Sequence, residues 1–172
     1  MLQAAEAVVL EEGAGNLTLD AVARRAGVSK GGVIYNFHSK DALLEAMVDR
    51  LIEHSVAAHD AAIASLPDQP GRALRAYVQN SLRTPDENDR VSGALLAIIA
   101  NSPQLLARIA GYFQKRFQQV AAGVPLERAA LIHMATEGLW MMELMQTTPL
   151  SKAQRTKLAK ELVRLCDLDE SL

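Results

Sequence analysis

At 172 residues the chain is long enough to bury a substantial core, as one larger domain or as a domain with a small module. Hydrophobic residues make up 49% and aromatics only 4%, a bias towards Ala and Leu that favours helix over strand. A net charge of −2 argues against a chain that is basic throughout, the single Cys166 excludes an internal disulfide framework, and no apolar run reaches the roughly 18 residues of a membrane span. The first residues, MLQAAEAVVLEEG, lack the basic start of a secretory signal, so a cytoplasmic protein is expected.

In chain order, apolar periodicity and its punctuation predict about nine helices and no strand, an all-α fold. The first, 2–12, stops at Gly13-Ala14-Gly15-Asn16. The second, 19–25, buries a stripe of Leu19, Val22, Ala23 and Ala26, with Thr18 as its cap and Gly27 as the turn beyond it. The third, 29–36, is capped by Ser29 and is expected to bury Val33 and Ile34, with Phe37 just after it. Ser39 caps the long fourth helix, 40–65, where Asp41 meets the positive end of the dipole and Leu43, Leu44, Met47, Val48, Leu51 and Ile52 follow helical spacing. Helices 71–83, 89–101, 103–122, 126–146 and 151–167 complete the chain. Apolar residues run almost all the way round 126–146, which implies contacts on more than one side. In 151–167, Leu158, Leu162, Leu165 and Cys166 share one stripe.

Residues 27–40, GVSKGGVIYNFHSK, pose a question. Each glycine inside a helix costs roughly 1 kcal/mol relative to alanine, yet Gly31 and Gly32 stand together in the third one. Small Ala23, turn residue Gly27 and apolar Val33 have the spacing of two short helices that cross closely, a helix-turn-helix. The second helix of such a pair enters the major groove by its N-terminal end. Gly31 and Gly32 then let the backbone sit deep against bases or phosphates. Tyr35 lies outward for a thymine methyl or a phosphate, Asn36 for adenine, and Lys30 for a guanine edge or a phosphate.

Residues 17–48, LTLDAVARRAGVSKGGVIYNFHSKDALLEAMV, resemble the tetracycline-repressor (TetR) family of bacterial transcription regulators. GVSKGG, the following aromatic, Phe37, Ser39-Lys40 and Leu43 carry the likeness. The resemblance implies a helix-turn-helix DNA-binding domain over 1–46 and a helical ligand-binding and dimerisation domain over 47–172. It places Thr18 and Lys40 on phosphate and Lys30, Gly31, Gly32 and Tyr35 against bases; the cap Ser29 and the outward Asn36 complete the expected DNA-binding set. Two departures stand out. The family's tyrosine position holds Ile34, and the chain starts inside the family's first helix, without a basic arm. Residues 1–65 hold five basic and nine acidic side chains (−4), whereas 18–40 hold four and one (+3), so positive charge is local to the reading surface. Weak, salt-sensitive DNA binding is expected of this chain, and whether the native chain starts upstream of Met1 is left open by the sequence.

The resemblance implies a ligand-responsive regulator, a repressor that binds a palindromic double-stranded operator as a homodimer and is released by a small apolar or amphipathic effector. Helices 126–146 and 151–167 are the expected dimer seam. Met134, Trp140, Met141, Met142 and Met145 offer an adaptable apolar surface, and His133 and Glu137 share a face that could fix a polar group. With Tyr77 and Tyr112, the residues His133, Glu137, Trp140 and Met141 are the candidate effector contacts; packed core and dimer interface is the other reading of the same side chains. His54 and His59 are read as lying on an exposed helix. No catalytic constellation, cofactor motif or metal-ligand set appears, so an enzyme is not expected. A helical protein-interaction module that has lost DNA binding is the rival reading.

Overall fold

The computed structural model describes residues 1–167. Among them are nine α-helices and one short 3-10 turn, with no strand: α1 (Leu2–Glu12), α2 (Leu19–Ala26), α3 (Lys30–Asn36), α4 (Lys40–Ala64), α5 (Arg72–Ser81), α6 (Glu87–Ala100), α7 (Pro103–Ala121), α8 (Leu126–Leu144) and α9 (Lys152–Arg164), the turn lying at Ala14–Asn16. The all-helical expectation holds, with ends that move by one to three residues. Helix α6 starts earlier than apolar spacing predicts because Asp86 and Asp89 cap it reciprocally. The Asp86 side chain accepts from the Asp89 N–H at 3.1 Å, and Asp89 accepts from the Asp86 N–H at 2.8 Å. Ser151 and Gln154 open α9 in the same way.

The described chain divides into two compact units. The first comprises residues 1–54 and 86–110. Its core is apolar throughout: Val8 and Val9 of α1, Val22 of α2, Val33 of α3, Leu43, Leu44, Met47 and Val48 of α4, and Val91, Leu95 and Ile99 of α6. The helix-turn-helix thus shares one core with a helix that starts some forty residues after residue 46, α6 packing on α1. Gly27 closes α2 in the left-handed region, φ 68°, and its N–H bonds back to Ala23 and Arg24 carbonyls.

The second unit comprises residues 55–85 and 111–172, described to 167. Helix α5 packs on α8 and α9 through Leu74, Tyr77, Val78, Ala129, Ile132, Leu139 and Leu162. Arg155 ties the start of α9 to both neighbours, bonding Glu143 of α8 at 2.5 Å and the Leu82 carbonyl at 2.9 Å. Cys166 is buried among the same residues, its thiol on the Leu162 carbonyl at 3.2 Å, and burial pushes its pKa up to about 12. It is a packing residue.

Gly71, which precedes α5, is constrained twice. Its φ is 77°, and a Cβ there would lie 2.8 Å from the Cys166 carbonyl oxygen, too close for any real contact. Around Gly27, by contrast, the space is open and only φ argues for glycine. Gly27→Ala should therefore cost about 1 kcal/mol and Gly71→Ala roughly 2 kcal/mol or more, measured by urea unfolding. Equal losses would contradict the assigned contact.

Candidate nucleic-acid interface and buried polar cluster

The putting-together of the reading surface begins with caps. Thr18 accepts from the Ala21 N–H at 3.0 Å, Ser29 from the Gly32 N–H at 3.1 Å and Ser39 from the Ala42 N–H at 3.0 Å, so α2, α3 and α4 each start on a side-chain oxygen. On α3, Val33 alone is fully buried, and Phe37 just beyond the helix packs partly against the same core. Ile34 departs from expectation: it is 42% exposed. One residue round from Val33, it faces away from the core that Val33 and Phe37 enter.

Tyr35 is 91% exposed and meets none of the core, a large aromatic left standing in water. Gly31 and Gly32 have ordinary helical φ, and a Cβ on either would meet nothing closer than Ser29 Oγ, at 3.8 and 3.5 Å. The protein itself therefore has room for side chains there. Asn36 turns its amide back to the Gly32 carbonyl at 3.0 Å, so pairing with a base would require it to swing out. Lys30 reaches Asp20 of α2 at 2.9 Å, and Arg25 reaches Glu11 of α1 at 2.5 Å. Both pairs are exposed, and such pairs are weak. Lys40 stands half-buried at the first position of α4.

In the second unit, polar side chains gather inside the core. Tyr77 of α5 is 4% exposed and donates its hydroxyl to Glu137 of α8. Its ring lies 4.8 Å from that of His133 and 6.1 Å from that of His59, centroid to centroid, and Phe117 lies 5.4 Å from His133. Arg116 of α7 is 2% exposed and sits over the Tyr112 ring at 5.4 Å. Of the sequence-predicted effector contacts, Tyr77, His133 and Glu137 come together directly, Tyr112 joins through Arg116, and Trp140 and Met141 are half-buried further along α8.

His59 is a correction: it is 1% exposed, on the inner side of α4, and both of its ring nitrogens lack a hydrogen-bond partner. His59 carried no signal in sequence, because α4 beyond Ile52 has no clear apolar stripe, and Arg116 and Phe117 of α7 belong to no motif. Burial pushes the His59 imidazole down to about 4, with the Arg116 charge adding to it. His133 is lowered by the same two causes, while burial raises Glu137 against the opposing Tyr77 hydrogen bond and the Arg116 charge.

The first unit is a helix-turn-helix with its recognition helix presented outward, and the second an all-helical body with a polar interior. Residues 1–47 match the family model described as "Bacterial regulatory proteins, tetR family", and residues 71–167 that of "Tetracyclin repressor-like, C-terminal domain". The chain belongs to the TetR family of bacterial regulatory proteins. It is 28% identical to the regulator EthR of Mycolicibacterium smegmatis over 65% of this chain and 52% of EthR. It is 28% identical to BetI of Serratia proteamaculans over 95% and 88%, and 34% identical to BetI of Pectobacterium carotovorum over 59% and 53%. The chain thus spans about half the length of two of these three curated relatives. Among solved structures, a TetR-family regulator from Rhodococcus sp. superposes with TM-score 0.76 at 18% identity, over 96% of this chain and 95% of that one. The multidrug binding protein EbrR complexed with malachite green gives 0.68 at 22%, over 95% and 94%. No helix among the described residues is long and apolar enough to cross a membrane, and none of their His, Cys, Asp and Glu side chains cluster in threes to hold a metal ion.

The lowered histidines have a consequence for stability. Because folding holds His59 near 4 against its ordinary 6.5, the folded state binds fewer protons than the unfolded chain between those values. Its contribution is therefore complete above about pH 6.5 and is lost as pH falls towards 4. Glu137, raised by burial, works in the opposite direction, so the histidine is isolated by difference. Between pH 7 and 5 the urea midpoint of the wild type should fall further than that of His59→Gln; parallel falls would mean that His59 is not held neutral.

Proposed function

We propose that the chain is a ligand-responsive repressor which binds a palindromic DNA operator as a homodimer in the bacterial cytoplasm. Residues 1–46 form the reading head and 47–172 the sensing and dimerisation domain. The observation that carries the reading is the outer face of α3, where Tyr35 is 91% exposed beside two glycines that the protein's own packing does not require. A helix bare at its N-terminal turn admits close approach to base edges. In this reading Lys30, Gly31, Gly32, Tyr35 and Asn36 face the groove, Thr18 and Lys40 contact phosphate, and Ser29 holds the first turn.

The dimer seam lies on 126–146 and 151–167. Support comes from α8 and its C-terminal cap, where Leu131 (61% exposed), Met134 (63%), Met142 (47%) and the cap Met145 (58%) recur at helical spacing down one side. A continuous apolar stripe of this kind is what a second copy would cover. The effector is a small molecule taken up in the helical domain; His133 and Glu137 face its polar group, with Tyr77, Tyr112, Trp140 and Met141 around it. EbrR, a structural neighbour crystallised with malachite green, supports small-molecule binding in this fold. Effector binding shifts the long helix α4 and changes the spacing of the two reading heads, releasing the operator.

Fluorescence anisotropy against DNA fragments flanking the gene tests the reading. Lys30→Gln and Lys40→Gln should each weaken binding to all fragments and reduce the salt slope by about 1, while Tyr35→Ala should weaken the operator more than random DNA. If no fragment binds in low salt, the interaction-module reading takes its place. In sedimentation, Met134→Glu should convert dimer to monomer while helicity is kept; an unchanged dimer would move the seam away from α8.

A further inference from the structure

The buried polar cluster says something about the chemistry of the effector. Arg116 is permanently charged, 2% exposed, and makes no ion pair among the described residues. Its two hydrogen bonds, to Gln119 Oε1 and to the Ser55 carbonyl, are both 3.3 Å, long for a charged donor with five N–H groups. Buried guanidinium groups are ordinarily matched by a carboxylate, because an uncompensated charge in a protein interior is costly. The buried carboxyl group of the cluster, Glu137, is taken by the Tyr77 hydroxyl; burial favours its neutral form, and the Arg116 charge acts on it in the opposite sense without an ion pair.

Around this charge stand three buried ring nitrogens with no partner, both of His59 and Nδ1 of His133. Native interiors leave few such atoms without a reason. Both imidazoles stay neutral, so each offers one donor and one acceptor. The rings of Tyr77, Tyr112 and Phe117 supply apolar and aromatic surface beside them. An unmatched cation, orphaned imidazole donors and flanking rings have one common complement.

We propose that the effector of this protein is an organic carboxylate with an apolar or aromatic body, its carboxylate held by Arg116 with His59 and His133 and its body against Tyr77, Tyr112 and Phe117. This deepens the effector-binding part of the proposed function and rests on it. The guanidinium fork matches a carboxylate with two parallel bonds, a geometry that a carboxamide cannot reproduce and an ammonium opposes.

Calorimetric titration of the full chain, without DNA, tests the assignment. The probes are octanoate, 4-phenylbutyrate and 2-naphthoate, each beside its primary amide and the trimethylammonium cation of matched skeleton. At least one acid should bind roughly tenfold or more tightly than its amide, and the cations should not bind. In Arg116→Gln the preference of acid over amide should vanish. Acid and amide of equal affinity, tighter binding of the cations, no binding by any acid at millimolar concentration, or a preference that survives in Arg116→Gln would each overturn the proposal. The acid-amide comparison on the wild type decides by itself if the variant does not fold. Because no DNA is present, a chain that prefers acids but binds no operator would overturn the repressor reading alone, and operator binding without acid preference would overturn only this assignment.

Discussion

One buried side chain holds the recognition helix. Helix α3 has seven residues, far fewer than the roughly 12–15 that an isolated helix takes to be even marginal in water. Its formation rests on Val33, completely buried in the core of α1, α2 and α4, with Phe37 beside it and the Ser29 cap at its start. With so little of the helix committed to the core, the rest of its surface is available. Every property of the reading face, from the exposed tyrosine to the bare first turn, follows from anchoring a short helix along a single edge.

The two units place their polar groups by opposite rules. In the first, the buried cluster is aliphatic and the buried charges are few: Glu6, 3.3 Å from Arg50, and the helix cap Asp89, while Arg108 bonds Asp49 and Glu45 on the surface of α4. In the second, histidine, arginine, threonine and tyrosine enter the interior, where each polar atom must find a partner or be a liability. A polar interior with unmatched groups gives up stability, and in the proposed reading that loss is what a bound effector recovers.

The sequence made the helices legible because their signals are local: Thr18, Ser29 and Ser39 at starts, Gly27 after an end, and stripes such as Leu43-Met47-Val48-Leu51 in between. Ile34 shows the limit of such patterns. In a helix this short, the difference between inward and outward is one residue's rotation, and the apolar character of Ile34 pointed the wrong way. His59 and Arg116 show another. Their burial depends on Tyr77 and His133, brought near by packing between helices far apart in sequence, and periodicity cannot carry that information. Nor could it show that α6 completes the core beneath the helix-turn-helix, since the apolar face of α6 names no partner.

The glycines divide by who requires them. At Gly71 the fold requires glycine twice over, by φ and by the carbonyl of Cys166; at Gly31 and Gly32 nothing inside the protein does. Mutation at Gly71 is therefore screened out when the chain folds, whatever DNA is present. In the proposed reading, mutation at Gly31 or Gly32 passes that screen and meets its first test at the operator. If α3 reads DNA as proposed, drift can explore new target sequences through its first turn while the scaffold is left intact, so that the evolution of what is read is uncoupled from the evolution of what folds.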